Sequence, residues 1–267
     1  MQVCITYSEG KGGIGLIHGT LCCAGITPAL QYATKYLEQA GFQIVHHPQW
    51  DATDLLLDVP SFRPGSPFTD SKYRDTILNA LPRQTCIWGG NLKHDSLENF
   101  HTIDLLQNEE YLTKNAAITA DCAISLATPL LHTSPQETTT LIIGWGRIGK
   151  HLATKLRDLQ FPVTVAARSE ADRYQLKALG YDAADTHELR PVLSQFRLIF
   201  NTVPAIVLTK EDRINYHHCI RIELASTTGI DDDDVIVARG LPGIYAPEAS
   251  GQLIAETFLK LKKEMRN

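Results

Sequence analysis

The sequence lacks the patterns that mark membrane-spanning and secreted proteins. No apolar run reaches the roughly 18 uninterrupted residues that a membrane-spanning helix needs. Met1 is followed by neither a basic segment nor an apolar core, so we expect no signal peptide. The six cysteines show neither CxxC nor zinc-type spacing, which is typical of a reduced, intracellular protein. We therefore expect a cytoplasmic protein without a membrane segment.

An excess of positive charge is also lacking. The 267 residues include 25 Lys and Arg against 30 Asp and Glu, which gives a net charge of −5. This balance argues against a broad surface for nucleic acid or for anionic membranes, so we expect neither partner. The hydrophobic content of 43% and the charged content of 21% are those of an ordinary globular protein, and the length suits one large or two medium domains.

Recognisable catalytic and metal-binding signatures are lacking as well. There is no GxSxG sequence. The run Asp231–Asp234 lacks the glycine spacing of a calcium loop, so we interpret it as a solvated acidic segment. The adjacent pairs His46-His47 and His217-His218 point in different directions, which disfavours metal ligation. We expect no metal site, and the catalytic acid or base is left unassigned.

A strand, a glycine-rich turn and a helix follow one another in the stretch from Thr139 to Ser169. The apolar run at 141–143 ends in a GxGxxG pattern, and apolar residues then recur at helical spacing. In a dinucleotide-binding turn, the glycines allow a tight turn, close approach of a pyrophosphate and close helix packing, while the helix N-terminus offers free N–H groups. The residues expected at this cofactor site are Gly144, Gly146, Arg147, Ile148 and Gly149.

A second strand, at 163–167, completes a βαβ unit of about 30 residues, which distinguishes a dinucleotide site from an ordinary glycine turn. NAD-preferring sites place an Asp or Glu about 20 residues past the glycines to bind the ribose 2′-OH. Here the strand ends in Ala166 and Ala167, followed by Arg168 and Ser169. A guanidinium and a hydroxyl can hold a 2′-phosphate, so we predict NADP(H). The alternative is that Arg168 is a solvated surface residue.

A second GxGxxG pattern, formed by Gly10, Gly12 and Gly15, has a different context. The segment after it, LIHGTLCCAG, lacks helical periodicity. We interpret this pattern as a glycine loop between strands.

Alternating strands and helices predict an α/β protein with two lobes. We expect a smaller flavodoxin-like or Rossmann-like N-terminal lobe at 1–118 and a Rossmann-type NAD(P)-binding domain at 139–246. Between them, at 119–138, Thr119 is expected to cap an apolar helix that runs to about residue 130, followed by a linker. For the segment 247–267 we predict a helix that packs back on the first lobe.

The carboxyl ends of the strands in the second lobe should form the ligand-binding edge. After a helix expected at 188–195, one strand leads into Asn201–Pro204 and a later one into Ser226–Gly229. We expect Thr202, Val203 and Pro204 at the cofactor. The candidates for holding a substrate are Asn201, Ser226 and Thr227, although each could instead be a turn residue that satisfies its own backbone.

Six segments carry a resemblance to a known family: GWGRIG (144–149), AARS (166–169), FNTVPAIVL (200–208), IELAS (222–226), GLPGIYAPEASGQLIA (240–255) and, more faintly, YLTKNAAITADCAISLA (111–127). Together they resemble the family of the dipicolinate synthase A subunit, a relative of the D-2-hydroxyacid dehydrogenases. The resemblance implies a two-lobed fold, use of NADP, and a cytoplasmic role in making dipicolinate during sporulation. It also implies a small dicarboxylate substrate and a flavoprotein partner, and it leaves homo-oligomerisation open.

The sequence departs from the family pattern where the family usually has Arg-Pro-Gly-Gly after IELAS. This chain has Thr227, Thr228, Gly229 and Ile230 instead, so a cation that could face an acidic ligand is missing. A D-2-hydroxyacid dehydrogenase remains an alternative, although Glu248 stands where the resemblance places that family's catalytic histidine. A non-catalytic NADP-binding subunit or sensor is the other alternative.

Overall fold

A computed structural model describes residues 19–49 and 51–266 of the chain. The glycine pattern of Gly10, Gly12 and Gly15 lies outside these residues. Two parallel sheets form the framework. Across the described ranges, no helix is both long enough and apolar enough to cross a membrane.

The first sheet has five parallel strands in the order β2-β1-β3-β4-β5. The middle strand carries three consecutive leucines that are fully buried, as expected for a parallel strand covered on both faces. The strand order is that of flavodoxin-like proteins. The elements of this lobe are β1 Thr20–Ala24, α1 Pro28–Gln39, β2 Gln43–Val45, β3 Ala52–Leu57, α2 Ser71–Ala80, β4 Cys86–Gly89 and β5 His101–Asp104.

The second sheet has six parallel strands in the order β11-β10-β9-β6-β7-β8. If the six strands β6 to β11 are renumbered 1 to 6 in chain order, the order from β8 to β11 across the sheet is 3-2-1-4-5-6. This is the Rossmann order. Its elements are β6 Thr140–Ile143, α4 Arg147–Asp158, β7 Val163–Ala167, α5 Glu170–Ala178, β8 Asp182–Asp185, β9 Leu198–Asn201, α6 Arg213–Tyr216, β10 Ile220–Glu223, β11 Ile236–Val237 and α7 Leu241–Tyr245. The predicted fold class, α/β with two such lobes, is confirmed.

The helix between the lobes, α3, extends over Glu109–Ala127 and does not begin at Thr119 as predicted. The Asn108 side chain caps it by accepting a hydrogen bond from the Tyr111 N–H, at 2.9 Å. Acidic residues in the first turn favour this start because they complement the helix dipole. Inside the helix, the Thr119 hydroxyl donates to the Asn115 carbonyl at 2.8 Å, so Thr119 is not a cap.

Two further predictions from local pattern are wrong. The helix expected at 188–195 is only a 3₁₀ turn at Leu193–Gln195, because Pro191 lacks an N–H group and obstructs a preceding helical turn. The acidic run is not fully solvated, because the Asp232 side chain is buried and pairs with Arg221 at 3.2 Å. A buried carboxylate needs such a counter-charge.

The last helix, α8 at Pro247–Glu264, packs along α1 of the first lobe. The two backbones approach so closely that a Cβ on Gly251 would lie 2.5 Å from the Ala29 carbonyl oxygen. Phe258 is fully buried and its ring contacts the rings of Phe42 and Trp88. The terminal helix is therefore part of the first lobe's core.

The end of α8 is held by a buried ion pair. Lys262 Nζ lies 2.6 and 2.7 Å from the carboxylate oxygens of Asp54, whose side chain is fully buried. Trp88 Nε1 and the Thr53 hydroxyl also donate to this carboxylate, at 2.8 and 2.7 Å. Removing the cation would leave a buried charge with only neutral donors.

We predict that Lys262→Met lowers the free energy of unfolding by about 3 kcal/mol, the usual cost of breaking a buried ion pair. Urea unfolding followed by tryptophan fluorescence measures this change. The neighbouring residue supplies a control, Lys263→Met, which should change stability by less than about 0.5 kcal/mol. Asp54→Asn combined with Lys262→Met should recover part of the loss. Equal stability of Lys262→Met and Lys263→Met would contradict a stabilising role for the pair.

Candidate cofactor and substrate site

The glycine-rich turn between β6 and α4 has the conformation that a dinucleotide site requires. Gly144 has φ +109°, a region that residues with side chains rarely adopt. A Cβ on Gly149 would lie 2.1 Å from the Gly144 carbonyl oxygen, so only glycine allows this close approach. Gly146, in contrast, faces open space among the described residues, and as the N-cap residue of α4 it has no side chain that could cap the first turn. The turn therefore offers room and unpaired N–H groups, which fit a diphosphate.

The loop after β9 closes against this turn. The Thr202 hydroxyl donates to the Ile143 carbonyl at 2.9 Å, and a Cβ on Gly144 would lie 2.4 Å from the Thr202 oxygen. Val203 is half-buried in the same place, and Pro204 is exposed beyond it. Of the three residues predicted at the cofactor from this loop, Thr202 and Val203 thus lie directly at the glycine turn.

A cleft of about 310 Å³ lies between the glycine turn and the interlobe helix. Its volume is at the lower end of the usual range for small-ligand sites. Asn115, in the middle of α3, lines the cleft from the side opposite Thr202, and the sequence analysis missed it. The full lining is Leu112, Asn115, Ala116, Gly146, Arg147, Ile148 and Thr202.

Arg147 lies at the rim of the cleft and bridges the two elements. Its guanidinium donates to both carboxylate oxygens of Glu109, at 2.6 and 2.7 Å. Both side chains are largely exposed, so the pair contributes at most about 1 kcal/mol. A phosphate could therefore replace Glu109 as the partner of Arg147 at little cost.

Two arginines with different surroundings lie near the end of β7: Arg168 follows the strand directly, and Arg173 reaches back to it from α5. Arg173 donates to the carbonyls of Ala167 and Arg168, at 2.9 and 2.8 Å, and pairs with Asp185 at 2.9 Å. Arg168 is exposed, and no ion pair to it occurs within the described residues. Ser169 caps α5 by accepting from the Asp172 N–H at 3.3 Å, which leaves its hydroxyl free to donate. Arg173, also missed by the sequence analysis, thus holds the strand end and neutralises Asp185.

A buried carboxylate, that of Glu223, organises the two loops at the edge of the sheet. It accepts from Asn201 Nδ2 at 2.8 Å, and from the N–H groups of Ala225, Gly229 and Ile230 at 3.0, 2.8 and 3.0 Å. Asn201 is fully buried, and its amide is bonded to Glu223 and Val203. This position corrects the expectation that Asn201 faces a substrate, because its amide is used inside the protein.

The other substrate candidates lie on the surface of the loop after β10. Ser226 and Thr227 are both exposed. Glu248, in the first turn of α8, accepts a hydrogen bond from the Tyr36 hydroxyl of α1 at 3.4 Å. Burial and this carboxylate raise the pKa of Tyr36. Glu248 is therefore directed towards the first lobe.

Comparison with known proteins supports the motif-based resemblance. Residues 110–217 match the family model described as the NAD binding domain of D-isomer specific 2-hydroxyacid dehydrogenases. This stretch contains most of α3 and the second lobe through α6. The match indicates a nicotinamide cofactor.

The confirmed resemblance is to the A subunit of dipicolinate synthase. The protein of that name from Bacillus subtilis (strain 168) is 26% identical over 204 residues, which span 71% of this chain and 68% of that protein. The crystal structure from Bacillus halodurans superposes with a TM-score of 0.77 at 20% identity, over 94% of this chain and 99% of the other. The crystal structure from Bacillus subtilis gives 0.74 at 21% identity, over 95% and 98%. At these identities the structural matches establish the fold.

We predict that Gly146→Ala weakens binding of nicotinamide dinucleotide by at least ~tenfold, or ~1.4 kcal/mol, because its methyl group would occupy the space that a pyrophosphate needs. Thermal stability should not fall, since the added Cβ would meet no atom of another part of the described chain, its own neighbours in sequence apart, within 4 Å. Fluorescence titration and thermal unfolding measure the two effects. Gly243→Ala, whose Cβ also meets open space, is the matched control and should leave binding unchanged. Unchanged binding in Gly146→Ala would show that the ligand does not approach this turn.

Proposed function

We propose that the protein is an NADP-dependent oxidoreductase that oxidises dihydrodipicolinate, a dihydropyridine dicarboxylate, to dipicolinate. The observation that carries this proposal is the cleft between the glycine turn and α3, with neutral polar side chains on its two walls. The similarity to the dipicolinate synthase A subunit supplies the substrate class. In this proposal, Arg168 binds the 2′-phosphate of NADP, Arg147 binds the diphosphate, and the cleft holds the substrate ring.

Arg168 is the proposed determinant for NADP over NAD. It is exposed at the end of β7, where an NAD-preferring site would carry a carboxylate. The carboxylate at the end of the neighbouring strand, that of Asp185, is paired with Arg173. An arginine and the Ser169 hydroxyl can together bind a 2′-phosphate through charge-assisted hydrogen bonds.

The proposed reaction removes a hydride and a proton from the dihydropyridine ring. A nicotinamide cofactor held at the glycine turn, by Gly146 and Arg147, would supply the hydride acceptor, and the proton would leave to water. Because an aromatic ring forms, the step is downhill, so the protein mainly has to hold the ring in position. Asn115 and Thr202, on opposite walls of the cleft, are placed to orient a ring between them. Reduction of a 2-keto acid would instead need a proton donor for the carbonyl oxygen.

The biological setting is also a proposal. Since the relatives are named as one subunit of dipicolinate synthase, we propose that this chain works with a flavoprotein partner, in the cytoplasm of a sporulating cell. This similarity supports the partner, and the activity of the chain is best measured with and without a flavoprotein.

For the cofactor, we predict at least ~tenfold tighter binding of NADPH than of NADH, equivalent to ~1.4 kcal/mol. Arg168→Ala should weaken NADPH more than NADH, because only NADPH carries the extra phosphate. Lys177→Ala removes the same charge at the other end of α5 and should alter neither affinity. Equal affinities for NADPH and NADH in the unaltered protein would refute the predicted preference for NADP.

For the reaction, freshly generated dihydrodipicolinate and NADP should yield NADPH and dipicolinate in equal amounts, faster than without protein. Absorbance at the wavelengths of both products measures this, with and without a flavoprotein partner. If neither mixture exceeds the uncatalysed rate while NADPH still binds, a non-catalytic binding subunit is the better interpretation. Efficient reduction of a 2-keto acid would favour a D-2-hydroxyacid dehydrogenase.

A further inference from the structure

The loop after β10 is approached by a cation from a later part of the sequence. Arg239, between β11 and α7, donates from Nε to the Ala225 carbonyl at 3.0 Å and from Nη2 to the Thr228 hydroxyl oxygen at 3.3 Å. Its guanidinium therefore lies against the loop that carries Thr227, a residue that offers no cation itself.

The charge of Arg239 is available to a ligand. Its side chain is exposed, and across residues 19–49 and 51–266 no carboxylate forms an ion pair with it. Several other arginines of the second lobe, unlike Arg239 and Arg168, are paired with a carboxylate: Arg147 with Glu109, Arg173 with Asp185, Arg190 with Asp212 and Arg221 with Asp232. A guanidinium has five N–H donors, so about three remain after the two contacts with the loop.

Arg239 also lies at the ligand-binding edge of the sheet. The loop that it contacts is joined to the loop after β9, because the Val207 N–H donates to the Gly229 carbonyl at 2.8 Å. A Cβ on Gly229 would lie 2.8 Å from the Val203 carbonyl oxygen. On its other side, Arg239 leads into α7, which packs against the cleft-lining helix α3. The guanidinium therefore lies at the end of β10, and the adjacent strand, β9, leads into Thr202.

We propose that Arg239 binds a carboxylate of the substrate, and so supplies from the β11–α7 segment the cation that Thr227 does not provide. The two loop contacts fix the orientation of the guanidinium, which leaves Nη1 and one Nη2 N–H for a two-point contact with a carboxylate. The exposed hydroxyls of Ser226 and Thr227 are adjacent donors for the same group. The identity of the ligand as a dicarboxylate rests on the proposed function.

The test is calorimetric titration with pyridine-2,6-dicarboxylate in the presence of saturating NADP. Arg239→Ala should weaken dicarboxylate binding at least ~tenfold, and Arg239→Lys should weaken it less, because a lysine keeps the charge but loses the two-point geometry. Combining Thr227→Arg with Arg239→Ala should restore most of the affinity. Arg197→Ala is the matched control, since Arg197 is exposed at the start of β9, on the opposite edge of the sheet.

NADPH affinity and thermal unfolding, measured on the same variants, separate a ligand contact from a folding defect. The proposal requires both to be unchanged in Arg239→Lys while dicarboxylate affinity falls. If Arg239→Ala binds the dicarboxylate as tightly as the unaltered protein, or if the unaltered protein does not bind it, the role of Arg239 is refuted. If the dicarboxylate binds through Arg239 but dihydrodipicolinate is not oxidised, this role stands and the proposed reaction fails.

Discussion

The ligand-facing edge of the second lobe depends on one buried carboxylate, that of Glu223. A buried charge is costly unless donors surround it, and here the donors come from two separate loops. The Asn201 amide brings the loop after β9 to the carboxylate, while three backbone N–H groups fold the loop after β10 around it. The positions of Thr202 at the glycine turn and of Ser226 and Thr227 on the surface both follow from this arrangement.

The helix α3 connects the site to the rest of the molecule because its two ends belong to different cores. Tyr111, near its start, is buried with the first lobe, whereas Ala120, Ala123 and Ala127 are buried with the second. Alanines allow close packing against α4 and leave the polar middle of the helix, at Asn115, facing the cleft. The cleft is therefore bounded by a helix that both cores hold in place.

The sequence predicted the βαβ unit and its turn correctly because these features depend on residues that are close together in the sequence. The βαβ unit around Gly144 was predictable because strand, turn and helix follow one another, and so was the position of Arg168 at the end of its second strand. The roles of Asn201 and Asp232 were not predictable, because their partners Glu223 and Arg221 lie elsewhere in the sequence. The start of α3 was missed for another reason. Thr119 and Asn108 are both good cap residues, and the packing of the turn before Asn108 on the first lobe, together with the acidic first turn, favours Asn108.

The position of α8 affects the order in which the protein can fold during synthesis. The first lobe leaves the ribosome first, yet its core includes Phe258 and its buried carboxylate Asp54 is paired with Lys262. Until α8 emerges, the apolar face of α1 and the Asp54 side chain have no native partner from that helix. The second lobe, whose six strands are all complete by Val237, can form before that point. The lobe that is translated first is thus the one that is completed last, and a chain truncated within α8 would expose the core of its N-terminal half.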